Sequence, residues 1–201
     1  MSKITIGGEI EDEEFILAIS TSGVGEGEMI WPAGLALDSK ENVYVTDEWL
    51  NKVSVFDNEG KHLASWGSAG AADGQFNAPS GMAIDQNDDL FIVDSLNHRI
   101  QKFDKGGEFL AKWGSKGTAD GEFDSPWGIT IDGQGFVYVA DHKNHRVQKF
   151  TPEGQHVANF GSAGAGKGEL TRPSDVTVDP EGDVYVSDWA NHRVQVFGPD
   201  G

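Results

Sequence analysis

Cysteine is absent from this chain of 201 residues. Its absence excludes a disulfide framework, a zinc site built on thiolates and a cysteine nucleophile. The acidic N-terminal stretch, residues 9–14, lacks the apolar core of a secretory signal peptide. From the chain as it stands we expect a cytoplasmic protein, with an extracellular domain of a larger protein as the alternative.

Basic residues and long apolar runs are also scarce. Fifteen Lys and Arg stand against 33 Asp and Glu, so the formal net charge is -18. Nucleic acids are bound by neutralising their phosphates with Lys and Arg, so this composition disfavours a nucleic-acid partner. No apolar run approaches the ~20 residues of a membrane span, and we expect no membrane partner. The charge agrees with simple solubility, or with a cationic partner or a divalent metal.

Sequence motifs of catalysis are missing as well. The chain has no nucleophile elbow, Walker loop, EF-hand loop or HExxH helix. Glycine-rich stretches such as 161–166 precede no helical pattern, so we interpret them as turns rather than phosphate loops. A binding protein is therefore favoured over an enzyme.

A repeat with a fixed period of 47 residues is what the chain does contain. Glycine, proline, aspartate and phenylalanine recur in register in four copies, at Gly27, Gly74, Gly121 and Gly168; Pro32, Pro79, Pro126 and Pro173; Asp47, Asp94, Asp141 and Asp188; and Phe56, Phe103, Phe150 and Phe197. A period of this length with several short strands per unit is typical of propeller blades.

The second copy shows the predicted unit. Short apolar runs at 82–84, 90–93, 100–103 and 109–113 are separated by turn residues and predict four strands, a to d. We predict an all-β fold, a β-propeller of four-stranded antiparallel blades, in one domain over residues 1–201. The blades span about 27–73, 74–120, 121–167 and 168–201.

The fourth copy lacks a strand d, and the N-terminus holds a candidate replacement. Residues 13–20 align with strand d one period before His62–Trp66, so we expect this N-terminal strand to close the last blade. Three assemblies remain open: a monomeric closed four-bladed ring, a strand-sharing homodimer with eight blades, and an open arc of a larger propeller. The closed ring ranks first because it leaves no sheet edge exposed.

The segments Asn97–Phe103, Asn144–Phe150 and Asn191–Phe197 resemble the NHL repeat, with Arg at the Leu position of its Asn-His-Leu core. The resemblance covers residues 27–197, and the first blade departs from it because Leu50-Asn51-Lys52 replaces Asn-His-Arg. It implies a β-propeller, most often six-bladed. It leaves the function open, since related domains bind proteins or RNA, act as sensors, or form a peptide-amidating lyase.

The loops that differ between copies supply the candidate site. Loops before strand a and after strand b of each blade converge on one face of a propeller, around the central channel. The ligand-binding candidates there are Trp31, Glu48, Trp49, Ser95, Trp127, His142, Lys143, Arg172, Asp175 and Trp189. Exposed tryptophans beside charged groups suit a protein, peptide or glycan ligand. The alternative is that the rings only cap the channel or pack on neighbouring loops.

An enzyme is the second hypothesis: a hydrolase or lyase with a divalent ion at the channel mouth, held by Glu48, His142 or Asp175. We predict no cofactor, with calcium or zinc as the alternative. The metal histidines of the amidating lyase lie next to the proline before strand a. Here those positions hold Ala33, Ser80, Trp127 and Ser174, which argues against a zinc lyase.

Overall fold

The computed structural model describes residues 17–201, and nearly all of its regular structure is β-strand. In chain order the strands are β1 (Pro32–Leu37), β2 (Val43–Asp47), β3 (Lys52–Phe56), β4 (His62–Trp66), β5 (Pro79–Ile84), β6 (Leu90–Asp94), β7 (Arg99–Phe103), β8 (Phe109–Trp113), β9 (Ile129–Ile131), β10 (Val137–Asp141), β11 (Arg146–Phe150), β12 (His156–Phe160), β13 (Ser162–Ala163), β14 (Glu169–Leu170), β15 (Pro173–Val178), β16 (Val184–Asp188) and β17 (Arg193–Phe197). Single 3-10 turns follow β6, β10 and β16.

The strands form four antiparallel meanders, which we number as blades 1 to 4. Blades 1, 2 and 3 have four strands each, in the orders β1-β2-β3-β4, β5-β6-β7-β8 and β9-β10-β11-β12, and blade 4 has β15-β16-β17. Each sheet lies inside one 47-residue repeat. The predicted all-β propeller is therefore confirmed. The short β13 and β14 pair in parallel within the loop between blades 3 and 4.

A buried aspartate at the end of each second strand holds the turn that follows it. In blade 2 the Asp94 carboxylate accepts hydrogen bonds from Asn97 Nδ2 at 2.9 Å and from Arg99 Nε at 2.7 Å. The Arg99 guanidinium also donates to the carbonyls of Ala71, Ala72 and Gln75. The motif thus pairs Asp94 with Arg99 and also ties the turn of one blade to the loop that enters it.

The histidine of the same motif joins one blade to the next. His98 and His145 adopt left-handed backbone conformations, with φ of 56° and 58°. Their Nδ1 atoms accept hydrogen bonds from the backbone N–H groups of Ser125 and Arg172, 27 residues further on. In the divergent blade 1, Asn51 takes this place and its Oδ1 accepts from the N–H of Ala78 at 2.9 Å. The first blade therefore keeps the joint although it lacks the motif.

The hydrophobic core lies between the blades, in three clusters at the three junctions. Trp66 of blade 1 packs with Phe103 of blade 2, and Trp113 of blade 2 packs with Phe150 of blade 3. The inner strands of blades 1, 2 and 3 each approach the next blade closely because a glycine stands at the contact. A methyl group on Gly34, Gly81 or Gly128 would come within 2.3 to 2.6 Å of the next blade.

The two ends of this arrangement are exposed. Leu35 at the free side of blade 1 is 66% exposed, whereas Met82 and Ile129 in the same register are 6% and 7% exposed. Val194 at the free side of blade 4 is 64% exposed, whereas its counterparts Ile100 and Val147 are fully buried. Positions of the repeat that are buried at the internal junctions are therefore exposed at the two ends of the arrangement. The four blades form an open arc, not the closed four-bladed ring that we ranked first.

The predicted closing strand, residues 13–20, lies partly outside the described residues. Residues 17–20 form no strand, and Leu17 and Ile19 lie against Gly60 of blade 1. Within residues 17–201, β17 has no partner beyond β16. The described part of the N-terminal segment thus packs on blade 1 instead of completing blade 4. The reason is that the arc holds blade 4 away from the first blade.

Candidate functional site

The predicted loops do converge, and their tryptophans form two groups on one face. Trp31 and Trp49 pack edge to face with ring centroids 5.1 Å apart. Trp127 lies edge-on to His142 at 4.6 Å, and His142 lies 6.1 Å from Trp189. The four indoles remain 38–60% exposed, which is a large area of aromatic surface left to solvent. This cluster is the loop-face site.

A central cavity of about 500 Å³ opens beside these rings. All four inner strands contribute to its wall, and their side chains there are small or aliphatic: Ala33, Leu35, Ser80, Met82, Ile129, Ser174, Val176 and Thr177. Glu48, Trp127 and Asp175 of the predicted set also line it. A cavity of this size accommodates an extended side chain or a small ligand.

Glu48 lies between the two tryptophan groups. It lines the central cavity together with Trp127, and it lines a second pocket of about 370 Å³ together with Trp31 and Trp49. Burial raises the pKa of Glu48, and the nearby Asp47 charge adds to the rise, while a hydrogen bond from the Trp127 side chain opposes it. A half-buried carboxylate flanked by indole rings offers charge and aromatic faces to a cation.

His142 is held in place by its neighbours. Its Nδ1 lies 3.1 Å from the carbonyl oxygen of Pro173 and donates to it, so Nε2 is the free nitrogen of the neutral ring. Burial lowers the pKa of His142, an effect that the Pro173 hydrogen bond opposes. Burial therefore favours the neutral form of the ring. It supports Trp127 and Trp189 and is directed into the aromatic group.

The other predicted residues divide by exposure. Ser95 is only 5% exposed and its carbonyl accepts from the N–H of His98, so it is part of the turn and cannot reach a ligand at the surface. The side chains of Lys143 and Arg172 are exposed, and they add positive charge near blades 3 and 4. Asp175 lies on the cavity wall, where burial raises its pKa. It occupies the register of the junction glycines.

Two features of the site escaped the candidate set. Leu96 is 51% exposed and lines the pocket of Trp31 and Trp49. Leu35 and Met82 form part of the cavity wall. The position of Leu96 directly after the second strand of its blade, in a loop on this face, was the signal that could have identified it. Leu35 and Met82 could be identified only by knowing that the first strand of each blade is innermost.

Metal ligands do not assemble here: over residues 17–201, no three His, Asp or Glu side chains are placed to hold one ion. Glu48 and Asp175 share the central cavity, whereas His142 is engaged elsewhere. In the same range of the chain, no helix has the length and apolar character needed to cross a membrane.

Radial blades around a central cavity, with aromatic loops at its mouth, define a β-propeller repeat protein. The NHL repeat model matches residues 76–103, 123–150 and 170–197. Blades 2, 3 and 4 thus carry NHL repeats. Blade 1 falls outside these matches, as its sequence predicted, yet it forms the same four-stranded sheet. No curated protein sequence matches the chain.

Solved structures share the fold at low identity. Virginiamycin B lyase from Staphylococcus aureus with quinupristin aligns with a TM-score of 0.63 and 16% identity, over 84% of this chain and 55% of that one. A chain of a nidogen/laminin complex gives 0.67 and 21%, over 84% and 60%. An auxiliary nutrient binding protein from Bacteroides ovatus gives 0.66 and 17%, over 86% and 49%. The four blades thus span about half the length of these proteins.

Proposed function

We propose that the protein is a binding module whose loop-face site takes a segment of a protein or peptide partner. The observation that carries this proposal is the grouping of exposed tryptophans: Trp127 lines the central cavity and Trp31 and Trp49 line the pocket beside it, while Trp189 lies near His142. Exposed aromatic side chains clustered beside a pocket are the usual anchors of protein recognition.

The charges of the site favour a basic side chain in the partner. Glu48 lies between the tryptophan groups and Asp175 lies deeper in the same cavity. The net charge of -18 attracts cationic segments over longer distances and speeds their encounter. A Lys or Arg side chain in the cavity would meet a carboxylate and the faces of indole rings together. A glycan, which stacks on tryptophan without needing the carboxylates, is the alternative ligand.

The comparisons agree with this proposal at the level of the fold. A propeller of this architecture occurs in a nidogen/laminin complex and in a nutrient binding protein, and propellers of the NHL family often serve as interaction scaffolds. Because these structures are at most 21% identical to the chain, the choice of ligand rests on the residues of the site.

A peptide library displayed on phage provides the test, with a glycan array as the parallel probe. We expect enriched peptides to carry Lys or Arg beside an apolar residue, and to lose binding to a Trp127→Ala/Trp189→Ala variant. Both indoles are exposed, so the variant should fold normally. The matched control is Leu63→Ala/Leu110→Ala, which removes two side chains that are each 49% exposed on outer strands. Equal binding to both variants would refute the loop-face site.

A metal-dependent enzyme is the second candidate, because two carboxylates whose pKa values are raised line one cavity. Calcium, magnesium or zinc bound there would raise the melting temperature of the metal-free protein. The shift should vanish in a Glu48→Gln/Asp175→Asn variant. If none of the three ions changes the melting temperature, this candidate is excluded.

A further inference from the structure

The free face of blade 4 carries the apolar residues that, in blades 1 to 3, are buried against the next blade. Tyr185 is 36% exposed, whereas its counterparts Tyr44, Phe91 and Tyr138 are at most 3% exposed. Val194 and Val196 beside it are 64% and 54% exposed. The repeat therefore preserves an apolar junction surface at a place where this chain supplies no next blade within its described residues.

The free side of blade 1 is the complement of that surface. Leu35 and Leu37 are 66% and 59% exposed, and they hold the positions through which blades 2, 3 and 4 pack on the blade before them. Because every junction joins the same two sides of a blade, the surface that fits blade 4 is the free side of blade 1. Within one chain the two lie at opposite ends of the arc, and a second copy placed head to tail brings them together.

The N-terminal segment already occupies the position of a strand that blade 4 lacks. At the internal junctions, the outermost strand of one blade lies against a glycine of the next: Trp66 against Gly107, and Trp113 against Gly154. Leu17 and Ile19 lie against Gly60, the equivalent glycine of blade 1. Residues 17–19 thus sit where the outermost strand of a preceding blade belongs.

We propose that two copies of the chain join head to tail into one eight-bladed ring. Blade 4 of each copy packs on blade 1 of the other, and the N-terminal segment of that other copy pairs with β17 as its fourth strand. Both junctions of the ring are equivalent, and no sheet edge of blade 4 is left open.

The repeat gives the register of the new strand pair. In blade 1, Val53 of β3 pairs with Trp66 of β4, and Val55 pairs with Ala64. Val194 and Val196 of β17 lie three periods after Val53 and Val55, and Ile19 and Leu17 lie one period before Trp66 and Ala64. The same pairing therefore sets Val194 opposite Ile19, and Val196 opposite Leu17, of the second copy. The interface therefore joins aliphatic side chains that are exposed or half-buried in one copy.

The interblade hydrogen bond offers a second correspondence. His98 and His145 accept from the N–H of Ser125 and Arg172, and the matching pair at the new junction is His192 with the N–H of Trp31 in the second copy. In one copy that N–H makes a 3.2 Å contact with Asp47. One difference remains, because Asp175 replaces the glycine of the internal junctions. The inner strands must therefore stay farther apart at this junction than at the others.

Charge opposes the assembly. Each copy carries -18, and like charges repel less as salt shortens the screening length from about 30 Å at 0.01 M to about 8 Å at 0.15 M. We therefore expect the dimer to strengthen with added sodium chloride, in contrast to an association driven by opposite charges. The apolar contacts of Val194 and Leu35 are not weakened by salt.

Light scattering coupled to size-exclusion chromatography tests the assembly. We expect a mass of twice 21.6 kDa for the chain at 0.15 M salt and above, and the mass of one chain for Val194→Asp and for Leu35→Asp. Both side chains are exposed in one copy, so these variants should keep the circular dichroism spectrum of the parent. The control is Val157→Asp on β12, which is 46% exposed away from both ends and should remain dimeric.

Cysteine cross-linking tests the register, and the chain has no native cysteine to interfere. A Val194→Cys chain mixed with an Ile19→Cys chain should form a disulfide-linked pair under mild oxidation, whereas Val194→Cys mixed with Leu110→Cys should not. A parent chain that runs as a monomer at all salt and micromolar protein concentrations would overturn the proposal. So would a dimer that Val194→Asp leaves intact and that gives no Val194–Ile19 cross-link.

Discussion

Asp94 at the centre of the blade 2 motif should be among the most costly residues to truncate. Its carboxylate is fully buried and accepts four kinds of donor: the backbone N–H of Asn77 at 2.7 Å, Asn97 Nδ2 at 2.9 Å, Arg99 Nε at 2.7 Å and Gln101 Nε2 at 3.1 Å. Asp94→Ala removes the only carboxylate within residues 17–201 that contacts the Arg99 side chain, and that side chain is itself 8% exposed.

The magnitude follows from the charge that is left behind. Breaking a buried ion pair by removing one partner costs about 3–5 kcal/mol, because the other charge stays buried and uncompensated. Arg99 keeps its hydrogen bonds to the carbonyls of Ala71, Ala72 and Gln75, which hold it in place but do not neutralise it. We therefore expect Asp94→Ala to lower the free energy of unfolding by about 3–5 kcal/mol.

Blade 4 supplies the matched comparison. Asp188 is equally buried and bonds Arg193 at 2.8 Å, but the Arg193 side chain is 31% exposed. Water can solvate that guanidinium once the carboxylate is gone, so Asp188→Ala should cost about 1–3 kcal/mol, the range of a lost hydrogen bond to a charged group. The difference between the two variants measures the desolvation of the arginine.

Urea unfolding is the assay, followed by tryptophan fluorescence and by far-ultraviolet circular dichroism. Two probes are needed because the blades of a repeat protein can unfold separately. Both variants should be made in the Val194→Asp background, so that association does not contribute to stability. A loss below about 1 kcal/mol for Asp94→Ala, or equal losses for the two variants, would refute the reasoning.

Three further outcomes follow from the structure. Gly81→Ala should destabilise the protein by about 1–3 kcal/mol in thermal unfolding, because the added methyl group would lie 2.6 Å from the carbonyl oxygen of Trp127; unchanged stability would show that the junction can widen. Burial acts to raise the pKa of Asp188, but hydrogen bonds from Thr171, Asn191 and Arg193 outweigh it, so its folded pKa lies below 3.8. Its stabilising contribution is therefore present above the unfolded pKa and is lost as the pH falls through the folded one. Asp188→Asn should make the free energy of unfolding fall less steeply as the pH is lowered, and an unchanged slope would contradict this prediction. Burial and the charge of Asp38 raise the pKa of Tyr44 to about 12, so the absorbance of its phenolate should appear near pH 12. In a denaturant that unfolds the protein and exposes Tyr44, the same absorbance should appear near pH 10, because the pKa returns to about 10.

The repeat allowed much of the fold to be predicted. The four strands of a blade and the repeated positions of Asp94 and Phe103 follow from local signals: short apolar runs, turn residues and a strict period. The site was predicted as a set of loops, and the structure groups its tryptophans as expected. Ser95 is buried in its turn, which the sequence did not indicate because exposure depends on the neighbouring loops and the period alone does not report them.

Whether the four blades close into a ring could not be read from the same signals. The curvature of a propeller depends on how closely each inner strand packs on the next, a few ångströms set by Gly34, Gly81 and Gly128 acting together. The register aligned residues 13–20 with strand d, and in the described part Leu17 and Ile19 lie against Gly60 as Trp66 lies against Gly107. The period alone did not tell which blade this segment packs on.

The sequence by itself determined the blade: an all-β unit of 47 residues whose turns, buried aspartates and apolar alternation are local and repeated. The tertiary structure alone decided the ends, where it leaves Leu35 and Val194 exposed, and the face, where it sets Glu48 between two pairs of aromatic rings. The physical reason is that a blade is specified by contacts within 47 residues. Closure and recognition depend on angles and distances that accumulate across several blades.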